Sequence, residues 1–183
     1  MHFASPEIQQ WAFDSAQLSP GAWLIQALQL RGAAKRIAWI GAAPEEMLTT
    51  AFPTEYRLLI ALSTENLVKG ILVAERMRRQ ESSPFSAIMH HRLPDLAGEI
   101  KGLPIPVSCE ESAVLEAMTE YIEWAGRYPF PKRLEKHRAR SHSSAECALE
   151  IALWERLAAY LKSIGWVSKG HPEYEGWHWL LTR

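Results

Sequence analysis

The sequence is short of cysteine, of long apolar runs and of net charge, and each shortage removes a class of protein. Two cysteines, Cys109 and Cys147, cannot make a disulfide framework and do not stand at metal-ligand spacing, which suits a reducing cytoplasm. No apolar run approaches the ~18 residues of a membrane span. The opening MHFASPEIQQ has no apolar signal core, so the expectation is a cytoplasmic protein that is neither secreted nor membrane-bound. A net charge of −1 gives no overall pull toward nucleic acid or lipid, so any such binding must come from a local patch. There is no glycine-rich phosphate loop and no serine nucleophile elbow. His90 and His91 near Asp95, and His171 and His178, follow no recurring ligand pattern, so the reading calls for no metal and no cofactor. Neither an internal repeat nor a strand-like alternation occurs.

What is present is helix. Hydrophobic residues make up 48% and charged residues 22% of 183, as in an ordinary folded domain with a sizeable core. Eight tryptophans point to core and groove packing, with a partner surface as a second use. The longest helical pattern runs from Thr54 to about Gln80 with no internal proline. Tyr56, Leu59, Ile60, Ser63, Leu67, Gly70, Ile71 and Ala74 recur at three- and four-residue steps, and Leu58, Leu62, Val68, Leu72 and Val73 widen the stripe. A helix apolar nearly all round belongs in the middle of a bundle. Within it Glu65, Asn66 and Lys69 form a polar cluster, with Glu65 and Lys69 in the favourable i,i+4 order. If buried, that cluster must be paired.

The other helices follow from caps and breakers. Ser5-Pro6-Glu7 and Ser19-Pro20 read as helix starts. The second of these opens a helix with Trp23, Leu24, Ala27, Leu28, Ala34 and Ile37 on one face, ending near Gly41. Residues 81–91 read as a loop, and Leu93 to Ile100 as a short helix stopped before Pro104 and Pro106. Ser108 with Glu111 is a capping box, launching a helix whose face carries Val114, Leu115, Met118, Tyr121, Ile122 and Ala125 up to Gly126. Ser143 and Glu146 repeat the box and open a last helix with Leu149, Ile151, Trp154, Leu157, Ala158 and Leu161 facing one way up to Gly165. The expected class is all-α, an irregular bundle of five or six helices, with a single helical domain over residues 1–165 and a tryptophan-rich tail of unassigned structure over 166–183.

Two segments carry a family resemblance. ENLVKG in the central helix and WAGRYPFP after the capped helix resemble uncharacterised bacterial proteins related to the HEPN superfamily, over roughly Tyr56 to Pro131. The resemblance implies an all-α fold, a homodimer, and a role with RNA in bacterial antiphage defence or a toxin–antitoxin system, where metal-independent endoribonuclease activity and an antitoxin partner occur. Nuclease members have four to six residues between an arginine and the histidine that follows it. Here three residues separate Arg133 from His137, and three separate Arg138 from His142. The alternative implied by that difference is a non-catalytic protein-interaction module of the same fold.

The basic run over 132–142, KRLEKHRARSH, sets Lys132, Arg133, Lys136, Arg138 and Arg140 against Glu135 alone. It is the candidate RNA-binding patch, with a solvated loop as the other reading. Within it His137 is a candidate general base on a ribose hydroxyl, with Arg133 or Arg127 as the cation for phosphorane charge. Arg127 has a second reading, as a partner of Glu65. The implied homodimer is checked by light scattering at micromolar concentration. Twice the 20.8 kDa chain mass is expected, and a monomer mass rules the dimer out.

Overall fold

The structure, a computed structural model, describes Gln10 and residues 18–39, 53–81, 88, 90–125 and 144–164. Five α-helices have defined bounds: α1 Pro20–Trp39, α2 Pro53–Arg78, α3 Leu93–Gly98, α4 Cys109–Glu120 and α5 Ser144–Ile164. Among the described residues there is no strand. The all-α expectation holds at that level. The helix expected at Ser5, the boundaries at Gly41, Gly126 and Gly165, and the tail over 166–183 lie outside the described residues.

α2 is the axis of the bundle. Leu67, Val68, Ile71, Leu72 and Val73 are all fully buried, five residues in one seven-residue span. A helix can bury both sides of such a span only by packing against neighbours all round. α1 lies along it through Leu24, Ala27 and Ala34, small or slender residues that let the axes approach. The approach at Gly70 is tight. A Cβ there would stand 2.8 Å from Trp23 Cβ on α1 and 3.0 Å from Leu161 Cδ2 on α5. Trp23 Cβ is fixed to the α1 backbone, so the clash cannot be relieved by a rotamer change.

Helix ends follow local chemistry. Ser19 Oγ accepts from Ala22 N–H at 3.3 Å, with Pro20 opening α1. The capping box of α4 is complete: Glu111 N–H donates to Ser108 Oγ at 3.2 Å, and Ser108 N–H donates to Glu111 Oε2 at 2.9 Å. α2 stops two residues before the expected Gln80. Gln80 takes φ 58°, and Glu81 N–H reaches Arg76 O while Gln80 N–H reaches Met77 O. That is a Schellman stop built on glutamine where glycine is usual.

Three sequence expectations are corrected. Leu28 is 43% and Ile151 42% exposed, although the periodicity sets both on buried faces. On α1 the narrow contact through Leu24, Ala27 and Ala34 turns Leu28 outward. On α5 the buried stripe is Cys147, Glu150, Leu153, Trp154, Leu157 and Leu161. A carboxylate, drawn in by an arginine on α2, takes the place next to Ile151. Finally, α4 does not continue as one helix to Gly126. Tyr121–Ala125 is a π-helical turn, wider than the α-helix that precedes it.

Glu75, buried near the end of α2, fastens the segment after α3. It accepts from Lys101 N–H at 3.0 Å, Gly102 N–H at 2.8 Å and Tyr160 O–H at 2.9 Å. A Cβ on Gly102 would lie 2.0 Å from the Tyr160 hydroxyl oxygen, so a larger residue there would displace the Tyr160 side chain from its bond to Glu75. Burial, and then the bond to Glu75, push Tyr160 up to about 12. Arg76 pairs with Glu99 on the same segment.

Gly70→Ala separates packing from propensity. The added methyl favours the helix by about 1 kcal/mol, and overpacking opposes it by ~1–3 kcal/mol. A lowered melting temperature is expected. A rise would show that α1, α2 and α5 are not in contact there.

Candidate functional site

Two polar sites are built on α2, one at its middle and one near its start. At the middle, Glu65 and Lys69 are 5% and 7% exposed. Lys69 Nζ donates to Glu65 Oε1 at 2.7 Å, the i,i+4 pair expected from the sequence. The same Oε1 stands 2.7 Å from His91 Nδ1. Asn66, expected in this cluster, bonds within its own helix instead: its Nδ2 donates to Leu62 O at 2.7 Å. One residue is a rotation of about 100° on a helix, which turns Asn66 away from Glu65. Arg127, the expected partner of Glu65, lies outside the described residues, as do Lys132, Arg133, Lys136, His137, Arg138 and Arg140.

His91 is the member that sequence reasoning missed. It is 26 residues from Glu65, follows no periodic pattern, and sits just before α3. Its side chain is 47% exposed although its partner carboxylate is buried. The flanking chain is pinned on both sides. Ile88 and Leu93 are fully buried, and Leu93 N–H donates to Thr119 Oγ1 of α4 at 3.0 Å. A carboxylate oxygen that accepts from an ammonium accepts from imidazole N–H as well. Nδ1 therefore carries a proton, and Nε2 takes no part in the bond to Glu65.

Near the start of α2, Arg57 pairs with Glu150 of α5, and its NH2 donates to Cys147 Sγ at 3.1 Å. All three residues are buried. Burial pulls the Arg57 guanidinium down, and Glu150 and Cys147 outweigh it, so the arginine stands above its ordinary value. Burial raises the Glu150 carboxyl, against the pull of Arg57. Burial and then Glu150 raise the Tyr56 hydroxyl. This pair forms one wall of a cleft of about 380 Å³ between α4 and α5. Val114, Met118 and Leu149 give it an apolar lining, and Tyr121 of the π-turn closes one side. Glu110 and Glu146 also line it, so its acidic groups outnumber Arg57, whose fork is already engaged. That balance suits an apolar or cationic group and opposes a phosphate.

Among the described residues no three histidine, cysteine, aspartate or glutamate side chains gather as a metal site. Both cysteines are free, Cys109 exposed and Cys147 buried. No described helix is long and apolar enough to cross a membrane. No protein-family model, curated protein or solved structure matches the chain.

Removing Glu150 takes away the carboxylate that pairs with the buried Arg57 guanidinium. Glu150→Ala is expected to lower stability by ~3–5 kcal/mol, measured by urea denaturation. A loss under ~1 kcal/mol, the range of exposed pairs, would show that the pair is solvated.

Proposed function

We propose that the protein binds RNA as a HEPN-like helical module, dimeric and active in bacterial defence or a toxin–antitoxin pair, and that residues 132–142 contact the phosphates. The observation that carries this reading is the excess of positive charge within that run, set beside helix arginines that have acidic partners. Arg57, Arg76 and Arg156 meet Glu150, Glu99 and Glu111, while Arg31, Arg79 and Arg92 meet Glu155, Glu81 and Asp95. These arginines are neutralised within the fold. The basic run has five cations and only Glu135 in its own sequence to offset them. Local excess of that kind is what releases counterions from a nucleic acid. The acidic cleft between α4 and α5 supports the same assignment by removing itself as a phosphate site.

A second reading, a module that docks a partner protein, is favoured by Ile105. It is 59% exposed between Pro104 and Pro106, on the segment that Glu75 holds against α2 and α5.

Fluorescence anisotropy with a single-stranded RNA at several salt concentrations tests the first reading. Changing Arg133, Lys136, Arg138 and Arg140 together to alanine is expected to weaken binding and flatten the salt slope by ~0.7 for each phosphate that is no longer neutralised. Unchanged affinity and slope would remove the run from the interface.

A further inference from the structure

We propose that the cleft between α4 and α5 is a binding site for a small organic cation, a molecule with one ammonium group carried on an apolar body. The inference is independent of the RNA-binding reading, which rests on a different part of the chain.

Its first support is size. The cleft holds about 380 Å³, within the ~300–1,000 Å³ usual for small-molecule sites. With a water taking ~30 Å³ in the liquid, that is room for roughly a dozen non-hydrogen atoms. A stable protein interface needs about 800 Å² of each partner. The cavity instead suits a molecule that enters it whole.

The second support is the lining. Val114 and Met118 of α4 face Leu149 of α5 across it, with Tyr121 of the π-turn at one side. An alkyl or aryl group leaves water on entering such a site. Met118, unbranched and polarisable, adapts to the shape it meets.

The third support is charge. Three carboxylates, of Glu110, Glu146 and Glu150, line the cleft with the single guanidinium of Arg57. Glu150 and Arg57 are buried and paired with one another. That leaves the exposed Glu110 and Glu146 to set the sign at the edge. Ser108 O–H donates to Glu110 Oε2 at 2.8 Å and holds that carboxyl below its usual range, so Glu110 is ionised at neutral pH. An ammonium at the edge keeps part of its water while its apolar body enters the lining, as lysine stems do on protein surfaces. A carboxylate or phosphate on the same body meets like charge there.

Calorimetric titration of the full chain tests the proposal with 4-phenylbutylammonium, 4-phenylbutanol and 4-phenylbutanoate, three probes that share one body. The ammonium is expected to bind saturably, ~3–10-fold tighter than the alcohol, with the carboxylate weakest. Raising the salt to about 1 M is expected to narrow those differences. Glu110→Gln combined with Glu146→Gln is expected to bring the ammonium down to the affinity of the alcohol and leave the alcohol unchanged, a split that loss of folding would not give. Ala117→Phe, which fills the cleft from its lining, is expected to abolish binding of all three with the helical circular dichroism unchanged. No saturable binding of the ammonium at millimolar concentration overturns the proposal, as does an ammonium that binds no better than the carboxylate. Ammonium binding that survives Ala117→Phe places it elsewhere and overturns the site. A fall in the mass measured by light scattering on Ala117→Phe would put a second copy of the chain in the cleft and overturn it equally.

Discussion

The fold depends on the cost of leaving a charge unmatched in the middle of α2. That helix is enclosed on all sides, yet Arg57, Glu65, Lys69, Glu75 and Arg76 are each no more than 7% exposed. An isolated buried charge is worth several kcal/mol against folding. Lys69 is matched within α2 by Glu65, and the others dictate where some other part of the chain must lie. Arg57 fixes the first turns of α5 through Glu150, Glu75 fixes the segment after α3, and Glu65 fixes the residues just before it. Apolar packing drives α2 into the centre, and the polar groups make the arrangement of its neighbours specific. Ser63 does the same with neutral groups, its hydroxyl donating to Ala27 O of α1 at 2.7 Å and accepting from Trp154 Nε1 of α5 at 2.8 Å.

What was legible in the sequence was local. The periodicity of α2, the capping box at Ser108 and the i,i+4 pair of Glu65 and Lys69 all rest on neighbours within a few residues, and all appear in the structure. The Schellman stop at Gln80 was hidden because glutamine is no signal for a left-handed backbone. The π-turn at Tyr121 was hidden because YIEWA fits a continuing α-helix equally well. Ile151 was misplaced for a longer-range reason. The face of α5 is set by Glu150 seeking Arg57, 93 residues earlier, and no spacing rule reaches that far. His91 was invisible on the same ground, since its environment is supplied by α2 and not by its own segment.

The two sites on α2 differ in what they leave to solvent. Arg57 and Glu150 satisfy one another behind the cleft wall, and the charge is turned inward. Glu65 is equally enclosed, but one of its two partners is an imidazole whose far nitrogen is unclaimed by the carboxylate. The first arrangement is complete in itself. The second passes the orientation set by a buried group to an exposed one, which is how a helical core can support surface chemistry.

The long-range bonds to α5 also bear on the order in which the chain can fold as it is made. α1 and α2 are adjacent in sequence and can pair as soon as both exist. Ser63, Glu75 and Arg57 wait for Trp154, Tyr160 and Glu150, which follow them by 91, 85 and 93 residues. At a synthesis rate of about 5–20 residues per second, that is a delay of several seconds. During it the central helix has apolar faces and ionised groups with no cover from α5. A nascent chain in that interval is the form of this protein most open to chaperone capture and to aggregation, and translation of α5 ends the exposure.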